Sequence, residues 1–152
     1  MAARSKKKKS VESSGKRKTA IARASVKSRK GGGKKGARVR VNGVPIEIMQ
    51  PDMARMKAME PLAIADAMDR LAKADINISV EGGGTMGQVD AIRTAIARGL
   101  VFWNDGAAGE DDELRDEYLR FDRSLLVNDP RRKEPKHQMG RGARKKKQKS
   151  YR

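Results

Sequence analysis

Arg17-Lys18-Thr19-Ala20-Ile21-Ala22-Arg23-Ala24-Ser25-Val26-Lys27 alternates small apolar and polar side chains almost without a break. Period two is the mark of a strand with one buried face. Ala20, Ala22, Ala24 and Val26 make the apolar face. Arg17, Thr19, Arg23, Ser25 and Lys27 fall on the other face, with Ile21 the exception, so the exposed side is expected to be basic. A glycine- and lysine-rich loop over residues 29–36 follows, which self-repulsion should keep mobile. Ala37, Val39 and Val41 then alternate with Arg38 and Arg40 as a second strand, and Asn42-Gly43 is a strong hairpin signal. Val44, Ile46 and Ile48 read as a third strand, so the three are expected to form an antiparallel meander.

Downstream the period changes. Residues 52–58 fit a short helix, and residues 61–72 a second one with Pro61 in its first turn. Ile76, Ile78 and Val80 give a fourth strand. Val89, Ile92, Ile96, Leu100 and Trp103 are spaced three or four apart, which predicts a helix over 86–103. Asp111 to Phe121 reads as an acidic-headed helix, and Leu125-Leu126-Val127 as a last short strand. The expected class is α+β: about 90–110 residues suffice for a single two-layer domain.

Charge divides the chain more sharply than hydropathy does. Residues 1–40 and 131–152 together hold 27 basic and two acidic side chains; residues 41–130 hold nine basic and 17 acidic ones. The ends therefore carry +25 and the middle −8. Blocks of like charge cannot build a core, and a polyanion is their natural partner. A membrane fits less well. No apolar run of about 18 residues occurs, and the basic ends lack interleaved Trp, Phe or Leu. Residues 1–10 are charged with no apolar stretch behind them, unlike a secretory signal. The division predicts a basic arm over residues 1–14, a core over 15–130 and an extended basic tail over 131–152.

Catalytic and metal chemistry find few parts. The chain has no cysteine and a single histidine, His137, which leaves no triad and no transition-metal cage. Glu110-Asp111-Asp112-Glu113 suits a helix start, where acids meet the dipole favourably. Residues 31–35 (GGGKK) are not a phosphate-binding loop, because no Gly-Lys-Ser/Thr closes them. Gly82, Gly84 and Gly87 match G-x-G-x-x-G between a strand and a helix. The antiparallel strands before them and the lack of a following acid-tipped strand argue against a dinucleotide fold. Two readings stay open: a tight turn packed on neighbouring backbone, and a helix N-terminus that takes an RNA phosphate. No catalytic residue, cofactor or metal is expected.

Several ordered motifs go further. Gly15-Lys16-Arg17-Lys18-Thr19-Ala20-Ile21-Ala22-Arg23, Asn42-Gly43, Gly84-Thr85-Met86-Gly87-Gln88, Ala91-Ile92-Arg93 and Ala97-Arg98 come in that order. Leu126-Val127-Asn128-Asp129, Arg131, Glu134-Pro135-Lys136, Gly142-Ala143-Arg144 and Gln148-Lys149-Ser150-Tyr151-Arg152 follow. Over residues 15–152 this pattern resembles the family of the ninth protein of the small ribosomal subunit, in its archaeal or eukaryotic-like form. The resemblance implies a two-layer mixed sheet with helices, akin to the second domain of the fifth small-subunit protein. It also implies a cytoplasmic, non-catalytic protein bound to small-subunit rRNA in the subunit head, beside other head proteins.

On that reading the tail reaches the peptidyl site. Arg152 matches the family's terminal arginine, expected to meet the tRNA anticodon stem-loop, with Lys149, Ser150 and Tyr151 beside it. Tyr151 stands where bacterial members usually have lysine. The rRNA contacts expected near the start are Lys16, Arg17, Lys18, Arg23, Lys34, Lys35 and Arg38. Gly84, Thr85, Gln88 and Arg93 are expected to join them from the middle of the chain. Arg131, Arg132, Lys136, Arg141, Arg144, Lys145, Lys146 and Lys147 complete the set. The alternative from composition alone is a histone-like protein that compacts nucleic acid.

Overall fold

A computed structural model describes residues 10–28, 37–71, 74–103 and 110–145. The loop expected over 29–36 lies outside them, as do residues 1–9 of the expected arm. In chain order the elements are β1 (Ser10–Arg17), β2 (Ala20–Ser28), β3 (Arg38–Val41), β4 (Val44–Pro45), α1 (Asp52–Ala67), β5 (Ala74–Glu81), α2 (Thr85–Val101) and α3 (Asp112–Phe121). The five strands form one sheet in the order β1-β2-β5-β3-β4. Neighbours are antiparallel except β3 and β5, which pair parallel with Val39 beside Ile76.

The sheet is thus mixed, and the expected meander is corrected. β5 lies between β2 and β3, reached by a crossover through α1. Alternation shows that a segment is a strand but not which strand lies beside it. The apolar side chains of β2 are buried as expected, and those of β5 match them across the ladder: Ala22 faces Val80, Ala24 faces Ile78, and Val26 faces Ile76. α2 packs over β1 and β2, and α1 packs beside α2. Among the described residues nothing covers the other face of β2 and β5: Arg23, Asn77 and Ser79 are exposed.

Four expectations change in detail. A strand, β1, begins at Ser10, inside the stretch read as an arm. It pairs with β2 along its whole length, from Ser10 opposite Lys27 to Arg17 opposite Ala20. The third strand stops at Pro45, which has no N–H to extend the ladder. Ile46–Ile48 instead turn as a 3₁₀ helix that buries Ile46 and leaves Ile48 out. Residues 52–58 and 61–67 are one helix, because the buried stripe Ala54, Ala58, Pro61, Leu62 and Ala65 runs through Pro61. Leu125 ends a 3₁₀ turn begun at Arg123, not a strand.

β1 sits close beneath α2. A Cβ added to Gly15 would collide with the Ala91 carbonyl oxygen and lie 2.8 Å from the Ala95 nitrogen. Ser13 fits the same space and donates its hydroxyl to the Ala95 carbonyl at 2.7 Å. Gly99 serves likewise from the helix, where a Cβ would lie 2.9 Å from Val26. This close approach fixes where the β1–β2 tip stands relative to the start of α2.

Candidate nucleic-acid interface

The site is built where three segments meet. Lys18 and Thr19 form the two-residue turn between β1 and β2, with Lys18 in the left-handed region (φ 54). Beside it runs the glycine turn from β5 into α2. Gly82 and Gly83 both have positive φ (74 and 68), and a Cβ on Gly82 would lie 2.6 Å from the Thr19 carbonyl oxygen. One on Gly83 would lie 2.9 Å from the Ala20 Cβ. The tight-turn reading therefore has direct geometric support at Gly82 and its neighbour Gly83, whereas a Cβ on Gly84 would meet nothing within 4 Å. Gly84 caps α2 without a side-chain hydrogen bond, so the amides of its first turn open on a hollow of about 390 Å³. Arg17, Lys18, Thr19, Thr85 and Asp90 are among its lining residues.

The third segment is the root of the C-terminal stretch. The Asn128 side-chain oxygen accepts from the Lys16 amide at 3.2 Å. The Arg131 carbonyl accepts from the Arg17 guanidinium at 3.1 Å, and the Lys18 carbonyl accepts from Arg132 at 3.2 Å. Residues 128–132 are thereby bound to the hairpin tip. Lys16, Arg17, Lys18, Gly84, Thr85, Arg131 and Arg132, scattered in the sequence, come together at one end of the domain.

Not all of these cations face solvent. Alternation alone puts Arg17 on the face of Arg23; the turn at Lys18-Thr19 reverses the chain and carries it to the opposite one. It stands on the helix-covered side, 3.1 Å from Asp129 and 3.7 Å from Asp90. Asp90 in turn holds Lys57 at 2.6 Å. Arg131 clasps Asp129 from outside, with contacts of 2.7 to 3.1 Å. The Arg131 hydrogen bonds, aided by the charge of Arg17, hold the Asp129 carboxyl well below the usual carboxylate range and raise Arg131. Lys57, Asp90, Arg17 and Asp129 line one side of an adjoining polar cavity of about 710 Å³.

Arg93 departs furthest from its expected role. It is 6% exposed, 2.6 Å from Glu60 and 2.9 Å from Asp122, with the Ser124 hydroxyl at 3.2 Å. A guanidinium enclosed by two carboxylates is a structural tie between α1, α2 and the end of α3, so the charge of Arg93 is already met inside the protein. Burial pushes Asp122 up, but bonds from the Ser124 hydroxyl and amide and from Arg93 outweigh this and leave it lowered. Gln88 is also occupied, donating to the Gly82 carbonyl at 3.1 Å.

The remaining expected contacts are spread out. Arg23 and Arg38 are exposed on the bare face of the sheet, where Glu12, Asp75 and Glu81 also project. Lys136, Arg141 and Lys145 are exposed along the coil after Asp129. Arg144 closes that coil on itself through two bonds to Glu134, at 2.7 and 3.0 Å, which lower Glu134 and raise Arg144. Lys34, Lys35, Lys146, Lys147, Lys149, Ser150, Tyr151 and Arg152 lie outside the described residues.

Sequence reasoning missed three participants: Asp90, Asp129 and Arg98. Arg98 donates to the Leu126 carbonyl at 2.8 Å and to the Ser14 carbonyl at 2.7 Å, and burial lowers its pKa. A signal existed for two of them. Asp90, Arg93 and Arg98 are the only charged side chains of a largely buried helix, and charges in such a setting are normally partnered. Among the described residues no acidic or histidine cluster could hold a metal, and no helix is long and apolar enough to cross a membrane.

Residues 15–152 match the family model described as ribosomal protein S9/S16. The small ribosomal subunit protein uS9 of Methanothrix thermoacetophila is 51% identical over 142 residues, covering 93% of this chain and 98% of that protein. That of Halobacterium salinarum is also 51% identical over 142 residues, with the same coverage.

Proposed function

The chain belongs to the ribosomal protein S9/S16 family, and from that premise we propose that it binds small-subunit rRNA through its β1–β2 tip and C-terminal stretch. Its coarse role follows from membership: it is a structural protein of the small ribosomal subunit and not an enzyme. The finer role rests on one observation. Lys16, Lys18 and Arg132 stand at the end of the domain where the uncapped start of α2 also opens. Backbone amides and cations converging on one surface suit phosphate oxygens, which position a protein without specifying bases. Arg23, Arg38, Lys136, Arg141 and Lys145 are exposed and extend the surface. Arg93 is not part of it.

The tail is assigned the peptidyl-site contact, with Arg152 meeting the tRNA anticodon stem-loop and Lys149, Ser150 and Tyr151 beside it. Lys34, Lys35, Lys146 and Lys147 add rRNA phosphate contacts, and other head proteins of the small subunit are the neighbours.

Replacing Lys16, Lys18 and Arg132 together by Gln tests the rRNA interface. Affinity for the cognate rRNA fragment should fall, and the salt dependence of log K should flatten by about 1 for each phosphate no longer neutralised. Unchanged affinity and slope would refute the interface. Deleting Arg152 should leave subunit assembly intact and weaken peptidyl-site tRNA binding. Co-sedimentation of the protein with free DNA instead of the small subunit would favour a histone-like role.

A further inference from the structure

We infer that Asp129 is a positioning residue: its carboxylate fastens the root of the C-terminal stretch to the β1–β2 tip and so sets the direction in which that stretch leaves the core. Nothing about the sequence requires this. Residues after Pro130 carry no apolar pattern, and a basic segment with no apolar anchor would ordinarily leave a domain at a variable angle.

The geometry opposes that freedom. Asp129 bonds locally to Arg131, which stiffens the segment, and across the fold to Arg17 at 3.1 Å, which attaches it. Arg17 grips the segment a second time through the Arg131 carbonyl at 3.1 Å. Its own position is set by Asp90 on α2, itself held by Lys57 on α1. A line of alternating charge thus joins the root to both helices. Arg17 and Asp129 are 18% and 19% exposed, so water screens them less than a surface pair. By contrast Arg144 and Glu134 are 87% and 53% exposed and attach the segment only to itself.

A direction fixed at the root matters because a long segment magnifies any change of angle at its base. The effect on tRNA rests on the function proposed above; the attachment itself does not. The chain has no cysteine, so cysteines introduced at Glu81 and Lys136 can carry two spin labels on the full-length protein. Pulsed dipolar spectroscopy should give one narrow distance distribution. Asp129→Asn should broaden it several-fold, and Asp129→Glu, which keeps the charge, should recover most of the narrowness. The core should melt at nearly the same temperature in all three. A distribution that stays narrow in Asp129→Asn overturns the inference. So does equal broadening by Asn and Glu with a lowered melting temperature, which would mark a residue needed only for the fold.

In reconstituted subunits, Asp129→Asn should speed dissociation of peptidyl-site tRNA several-fold, with Arg152 deletion as comparison. If the deletion has no effect, the tail's assignment to tRNA fails while the distance measurement still judges the latch. If the deletion weakens tRNA and Asp129→Asn does not, the positioning role fails.

Discussion

The two faces of the sheet treat positive charge differently. On the helix-covered side, Arg17, Arg93 and Arg98 each meet carboxylates or backbone carbonyls within the protein. On the bare side, Arg23, Lys27 and Arg38 are exposed, and none lies within ion-pair distance of an acid among the described residues. The formal charge of +17 counts both sets alike. Only the second set can trade water and counterions for phosphate without first breaking an internal pair. An arginine in a basic protein is therefore evidence for nucleic acid only after its internal partners have been subtracted.

The largest expected contrast follows from this. Arg93→Met leaves Glu60 and Asp122 without their shared cation. Breaking a buried pair typically costs several kcal/mol; Glu60 and Asp122 are 33% and 39% exposed and keep some water, so about 2–3 kcal/mol is expected here. Arg23→Met should change stability by less than about 0.5 kcal/mol and weaken RNA binding instead. Urea unfolding midpoints and RNA titrations on the two variants measure both. Equal loss of stability in the two would break the distinction between the faces.

A neutral group on the covered side sharpens the comparison. The Tyr118 hydroxyl is buried and donates to the Pro61 carbonyl at 2.8 Å. Burial, and then the charge of Asp111, raise its pKa above the usual tyrosine range. Because the folded value is the higher one, the stability involved is fully present below the unfolded pKa of about 10 and is lost as pH rises through the folded value. Tyr118→Phe should cost about 1–2 kcal/mol at neutral pH. It should also flatten the alkaline loss of stability, measured by unfolding between neutral and high pH. An unchanged alkaline limb would show that another group carries it.

Much of the fold could be read in the sequence, and what could not has a physical reason. β2, β5, α2 and α3 each show their buried face as a repeat of apolar residues. β1 does not, because the residues it turns toward α2 include Ser13 and Gly15. A strand lying close under a helix needs small side chains there, and those do not register as an apolar pattern. Strand order was hidden too, since β3 and β5 pair across the whole of residues 42–73, α1 included, and no local signal marks such a pairing. At the site, Lys16, Lys18 and Arg132 were legible as cations. The pairing of Arg17 with Asp129 was not, because it joins residues 112 positions apart and depends on the turn that carries Arg17 to the covered side.

The smallest effect is expected where the comparison is least clear-cut. Glu134 and Arg144 form a two-bonded pair like those inside, yet both are exposed. Water competes for such a pair, so it should add almost nothing to stability. The bonds from Arg144 hold Glu134 below its ordinary pKa, so whatever the pair contributes is present above the unfolded carboxylate value and is lost as pH falls through the lower folded one. Glu134→Gln should leave the melting temperature unchanged at neutral pH. It also removes an acid that now occupies the Arg144 fork, and a guanidinium released from a carboxylate can take two phosphate oxygens. RNA affinity should therefore rise slightly, with a steeper salt dependence, in titrations at two ionic strengths. A fall in affinity would mean that RNA recognises the closed form of residues 134–144, and this exposed pair would then belong with the structural ones.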